Sequence, residues 1–127
     1  MLQWNQSISQ FSVNMANDHL LTFDSHGKSG PGFQNATTLI PSPDGNWILT
    51  LGKDLKLYDR IGNQIATLGP ASSAMWLADS SGFVRWKCDC DTNEFFLHLM
   101  KDEWQAVITK KLEDIQESAS IFSIVSP

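Results

Sequence analysis

The chain has 127 residues, 42% hydrophobic and 18% charged, the size and make-up of one soluble globular domain that can fold without disulfides or metal. Nine Lys and Arg against 14 Asp and Glu give a net charge of -5, so the clustered cations that carry nucleic-acid binding are missing. No run approaches the roughly 20 apolar residues that span a bilayer, and the first basic residue, Lys28, comes too late for a cationic leader, so a cytoplasmic, non-membrane protein is expected.

Near the N-terminus, Leu20-Leu21-Thr22 echoes Ile48-Leu49-Thr50 at an offset of 28. That short echo predicts a preceding unit that has lost part of its sheet, followed by a flexible loop from Ser25 to Gly32 containing Gly27, Gly30, Pro31 and Gly32.

The clearest pattern begins at Ala36, where short β-forming stretches alternate with turn residues. Ala36 to Ile40 makes a strand, and Ser42-Pro43-Asp44-Gly45 a turn, because Pro presets a negative φ and Gly tolerates a positive one. Trp47 to Leu51 is the next strand, Gly52-Lys53-Asp54 a tight connection, and Leu55-Lys56-Leu57-Tyr58 an alternating, half-buried strand. After the turn at Arg60-Ile61-Gly62-Asn63, Gln64 to Leu68 completes a four-stranded antiparallel meander ended by Gly69-Pro70.

The unit recurs. Ser72 to Leu77 leads into Asp79-Ser80-Ser81-Gly82, the counterpart of Ser42 to Gly45, and Phe83 to Trp86 takes the place of Trp47 to Leu51. Leu97 to Asp102 parallels Leu55 to Arg60 at an offset of 42, and Ala106-Val107-Ile108 follows as the last strand. The offset drifts from 37 at the Gly45/Gly82 turn to 42, which assigns about five extra residues to the middle turn around Cys88 to Asn93. A period of about 40–45 residues with four strands per unit marks a propeller blade, a sheet that must bury both faces against neighbours. The expected organisation is a single β domain over 1–127, with units at about 36–68 and 72–108, and 121–127 starting a further repeat. Ile108, Leu112, Ile115, Ala119 and Phe122 have helical spacing, which predicts a short helix near 109–119 with Thr109 as its cap.

Ser42-Pro43-Asp44-Gly45, Trp47-Ile48-Leu49-Thr50, Leu55 to Asp59 and Gly62 to Leu68 together resemble one blade of a bacterial-type WD-repeat β-propeller, with Tyr58-Asp59 in the place of the Trp-Asp pair. The likeness extends over about 33 residues. The Gly-His pair that opens such repeats is absent, and Met100-Lys101 stands where the second unit would carry Trp-Asp. The resemblance implies a scaffold that binds other proteins on blade rims and ring faces. A β-sandwich or barrel is the competing fold. A closed propeller needs at least about four blades, so roughly two complete sheets leave edges and faces that attract partners or further copies of the chain.

Gly27-Lys28-Ser29 lacks the earlier Gly of a phosphate loop, since position 22 is Thr, and reads as an exposed turn. Asp89-Cys90-Asp91-Thr92-Asn93 starts like a calcium loop but has Glu94 where Gly is required, so a polar turn is expected. Cys88 and Cys90 supply half a zinc site that His98 alone does not complete. No Gly-x-Ser-x-Gly elbow accompanies His19, His26 or His98. Because His98 alternates with Leu97 and Leu99, it is expected at the surface. Asp44 and Asp79 occupy equivalent turns, where aspartate hydrogen-bonds its own backbone. The glycosylation sequons at Asn5 and Asn35 bear only on an exported protein. Of five tryptophans, Trp47 and Trp76 are assigned to packing, while Trp86 and Trp104, on less apolar strands, are candidate interface residues.

These readings converge on a non-catalytic protein-interaction module of propeller-like blades, without cofactor or metal, whose partner is another protein or a further copy of itself. The alternative is a small ligand-binding β-sandwich or barrel domain, or a non-catalytic part of an enzyme; a concave, Trp-lined pocket would favour it.

Overall fold

The computed structural model describes residues 2–88 and 93–111, the last five through their backbone only. Twelve strands form three antiparallel four-stranded sheets among these residues. The first contains β1 (Leu2–Asn5), β2 (Gln10–Met15), β3 (His19–Phe23) and β4 (Phe33–Gln34). The second contains β5 (Ala36–Pro41), β6 (Trp47–Gly52), β7 (Leu55–Asp59) and β8 (Gln64–Gly69). The third contains β9 (Ser73–Trp76), β10 (Gly82–Cys88), β11 (Asn93–Leu99) and β12 (Ala106–Lys111). Each sheet pairs its strands in chain order, the hairpin-linked meander that short turns between β-forming runs dictate. Trp47 and Phe83 thus lie on separate sheets rather than on one barrel wall.

The chain divides into two compact units, Met1–Pro70 with the first two sheets and Ala71–Pro127 with the third. In the first unit, Ile8 of the turn between β1 and β2, with Leu20 and Phe33 of the first sheet, meets Ala36, Leu39, Ile48 and Tyr58 of the second in one buried cluster. Phe33 meets the Tyr58 ring edge-on, centroids 4.7 Å apart. Gly45 sits at φ +76° where a Cβ would strike the Ser7 carbonyl, so the approach of these sheets requires glycine there. The third sheet has its own cluster of Leu77, Val84 and Leu97, flanked by Phe95 and Leu99.

The N-terminal sheet is complete, against the expectation of a degenerate one. Its repeat is found at an offset of 35, not 28: Phe23-Asp24-x-x-Gly27 matches Tyr58-Asp59-x-x-Gly62. In both turns the aspartate Oδ1 accepts two backbone N–H bonds, from His26 and Lys28 at 2.9 Å, and from Ile61 and Asn63 at 3.1 and 2.9 Å. The start of the predicted flexible loop is therefore a pinned turn, and the Gly30 N–H donates to the Thr22 carbonyl at 2.9 Å.

The period is also shorter than 40–45 at the first turn of each unit. The Ser42 N–H donates to the Trp47 carbonyl at 2.8 Å, and the Leu77 N–H to the Gly82 carbonyl at 2.9 Å, 35 residues on. The residue equivalent to Gly45 is Ser80, at φ +63°; the shared feature is a left-handed backbone, not a glycine. Extra length enters at the next hairpin. Trp47 pairs with Asp59, whereas the equivalent Gly82 pairs with Leu99, five residues farther along. The helical spacing that begins at Ile108 gives way to strand through Lys111, where the backbone pairs with β11. Residues 112–119, and the proposed repeat start at 121–127, lie outside the described residues.

Candidate docking surface

The two faces of the first sheet differ in polarity. Alternation along β1, β2 and β3, fixed by the pairing Gln3↔Ser12↔Thr22, puts several polar residues beside Leu20 and Phe33 on the face that meets the second sheet. There Asn5, Ser12 and Thr22 are buried, with the Asn5 amide donating to Ser12 Oγ at 3.1 Å. The opposite face carries two apolar rows, Leu2↔Val13↔Leu21 and Trp4↔Phe11↔Phe23. Trp4 lies 4.7 Å from Phe11, and Phe11 stacks on Phe23 at 5.4 Å. Leu2, Trp4 and Leu21 are 58%, 40% and 40% exposed, so the sheet shows a wholly apolar pair of rows to solvent while the hidden face mixes polar side chains with Leu20 and Phe33. An exposed apolar patch of this kind marks a face built to be covered.

The third sheet also has two distinct faces. On one, Phe83 stacks on His98 at 4.8 Å, and Trp76 and Trp104 pack around them. His98, expected at the surface, is buried instead: in a sheet lined on both sides, pointing away from Leu97 and Leu99 is not pointing at water. Its Nδ1–H donates to the Trp104 carbonyl at 2.7 Å while Nε2 accepts from Arg85 Nε at 3.3 Å, a pair of contacts that fixes a neutral tautomer. Burial holds its pKa below the usual histidine value; the Trp104 carbonyl opposes that shift and the Arg85 charge adds to it. Arg85 also lies over the Phe96 ring, 4.1 Å from its centroid.

Trp104, a candidate interface residue, is buried, at 5% exposure. The turn through Met100–Asp102 and the left-handed backbone at Glu103 and Trp104 fold its indole back onto Trp76 and Phe83. Trp86, the other candidate, is half-buried on the opposite face with Val84, Leu97 and the 51%-exposed Met75; its indole N–H donates to Asn93 Oδ1 at 3.2 Å. A shallow cleft of about 410 Å³ beside them is lined by Leu77, Leu97, Leu99, Asp79 and Ser81.

Titratable groups are spent on turns. Asp44 accepts from Ser42 Oγ and the Asn46 N–H, and Asp79 from the Ser81 N–H and hydroxyl. Hydrogen bonds from Lys28 and His26 hold the Asp24 carboxyl below its ordinary pKa, and Ser81 does the same for Asp79. At Asp59, desolvation pulls upward, but donors from Asn63, Ile61 and Gly62 together outweigh it. Among the described residues, no three His, Cys, Asp or Glu side chains gather to hold a metal, and no helix is long and apolar enough to cross a membrane. Cys88 is exposed at the end of β10; Cys90 and most of the calcium-like stretch lie outside the described residues. Four clefts of about 300 to 540 Å³ have no tryptophan in their linings.

No protein-family model matches the chain, and no curated protein matches it in sequence. Solved structures do. A crystal structure of a eukaryotic initiation factor superposes with a TM-score of 0.74 at 15% identity, covering 88% of this chain and 32% of that one. The β-propeller domain of the Trilobed protease from Pyrococcus furiosus gives 0.63 at 15% identity, over 80% of this chain and 38% of that domain. An acylaminoacyl peptidase from Pyrococcus horikoshii gives 0.58 at 12% identity, over 87% of this chain and 22% of that one. The chain thus spans well under half the length of the structures it resembles, and at such identities the likeness speaks for fold alone. With hairpin-linked four-stranded sheets and propeller neighbours, the fold of the described residues is that of β-propeller blades.

Proposed function

We propose that the chain is a non-catalytic protein-binding module of WD-repeat-like propeller blades, with protein rather than nucleic acid or membrane as its partner. The observation that carries this reading is the apolar face of the first sheet, with Leu2, Trp4 and Leu21 in solvent and no charged side chain in either of its two rows. Aromatic anchors within an uncharged patch are the composition of a protein interface core. The aromatic-Asp-x-x-Gly turns at Phe23-Asp24 and Tyr58-Asp59 support the WD-repeat-like element, since aspartate pins the turn after the third strand in both blades.

A photocrosslinking amino acid at Leu21, compared with the same probe at the exposed turn residue Lys53, tests the reading in the cells that make the protein. Protein adducts well in excess at position 21 are expected. Equal labelling at the two sites would overturn it.

A further inference from the structure

The first unit holds an open cleft of about 540 Å³, lined by Ile8, Gln10, Gly30, Pro31, Arg60 and Ile61 and within the size range of small-ligand sites. Three connections build it: the turn between β1 and β2, the segment between β3 and β4, and the turn between β7 and β8. Its walls are fixed in advance. The Thr22 hydroxyl donates to the Pro31 carbonyl and the Gly30 N–H to the Thr22 carbonyl, which pins the segment before β4, while Asp59 pins the turn that carries Arg60 and Ile61. A Cβ at Gly62 would come within 2.7 Å of the Pro31 ring, so these two walls are drawn together as closely as glycine allows. A Cβ at Gly30 would come as near to the Gln10 amide nitrogen, so the missing side chain makes room for that amide.

Two polar side chains of the lining are unspent. Gln10 lies on the Ser12 side of β2, away from the apolar rows, and among the described residues neither its amide nor the Arg60 guanidinium has a hydrogen-bonding or charged partner. Arg60 is also the one charged side chain in the lining. The N–H groups of Gly30 and Gly62 are already given to the Thr22 and Asp59 carbonyls, so these amides form no nest of the kind that holds phosphate.

We propose that this cleft binds a carboxylate next to a branched apolar group, as at the C-terminal end of a peptide, with Arg60 holding the carboxylate, Gln10 the adjoining peptide unit, and Ile8, Pro31 and Ile61 the side chain. The guanidinium fork matches the two carboxylate oxygens, and charge-assisted bonds of this kind are the strong ones. A primary amide offers the donor and the acceptor that a peptide unit takes up. A free acid of the same shape presents the same carboxylate, and the two sources differ by that peptide unit. The site is separate from the apolar face of the first sheet, and either reading can stand without the other.

Amide NMR of the full chain, titrated with N-acetyl-leucine, tests the proposal. The lines of Gly30, Ile61 and Gly62 are expected to shift saturably with a dissociation constant on the order of 1 mM. N-acetyl-leucinamide, the same body without the charge, binds at least about tenfold more weakly, as does N-acetyl-leucine to Arg60→Gln. Lys53→Gln, which removes the same charge from another turn, leaves the constant unchanged. Both substituted residues are exposed, and the spread of the amide spectrum confirms that each variant folds. Weaker binding of 4-methylpentanoate, which lacks the peptide unit, identifies a peptide end as the ligand; equal binding keeps the carboxylate site and makes the free acid its source. No saturable shift at these lines, equal binding of the leucinamide or of inorganic phosphate, or an unchanged constant in Arg60→Gln overturns the proposal.

Discussion

Replacing Phe33 by alanine tests the junction between the first two sheets where it is most concentrated. Phe33 belongs to β4, only two residues long and paired to β3 through His19↔Gln34 and Leu20↔Phe33, so little backbone hydrogen bonding holds it. Its side chain is 1% exposed and wedged among Leu20, Leu39, Ile48 and Tyr58. Truncation removes an aromatic ring and leaves a cavity that surrounding strands cannot collapse into, a loss of about 3–5 kcal/mol. The edge-on contact with Tyr58 accounts for about 0.5–1.5 kcal/mol of it. Urea unfolding followed by tryptophan fluorescence should show a lower midpoint at unchanged slope. Ile61→Ala, at a position 76% exposed, should stay within about 0.5 kcal/mol of the parent. A Phe33→Ala loss no larger than that of Ile61→Ala would refute the packing of the two sheets described here.

His98 gives a pH signature. Its folded pKa lies below the unfolded value of 6.5, so its neutral form stabilises the fold fully above about pH 6.5, and that contribution falls as pH drops through the folded pKa. Urea midpoints measured from about pH 7.5 to 5 should decline on the acid side, and the decline should flatten in His98→Gln; an unchanged slope in the variant would contradict the buried neutral imidazole. Gly45→Ala should cost more than about 1 kcal/mol, because the new Cβ meets the Ser7 carbonyl at a left-handed backbone; a neutral or stabilising effect in thermal melts would refute the close approach of those chains.

The strands from Ala36 to Leu68 were legible because each alternating stretch is closed by a turn whose chemistry is local: Pro43-Asp44-Gly45, Lys53-Asp54 and Ile61-Gly62-Asn63. The first sheet was less legible. Its inward face carries Gln3, Asn5, Ser12 and Thr22 beside Leu20 and Phe33, which breaks the alternation expected of a half-buried strand, and the hydropathy of Leu20-Leu21-Thr22 points to an offset of 28 where Phe23-Asp24-x-x-Gly27 marks 35. The period is disguised at Gly82 for a different reason: the positive φ that Gly45 supplies in the second sheet falls on Ser80 in the third, so the two glycines do not mark equivalent positions. The environments of His98 and Trp104 depend on which faces are covered and on a left-handed turn at Glu103-Trp104, both tertiary facts with no local sequence mark. The docking face left one readable trace, the alternation Phe11-x-Val13-x-Met15 opposite Leu2-x-Trp4, which has the form of a core strand on the side that proves to be exposed.

The most direct test of that exposed apolar face is fluorine NMR of protein labelled with 5-fluorotryptophan, the Trp4 line assigned by its disappearance in Trp4→Phe. Docking predicts that a soluble paramagnet broadens the Trp4 line strongly in dilute protein and progressively less as concentration rises and the face is covered, while the line of buried Trp76 stays sharp throughout. A Trp4 line broadened to the same extent at every concentration, with or without protein partners present, would contradict it.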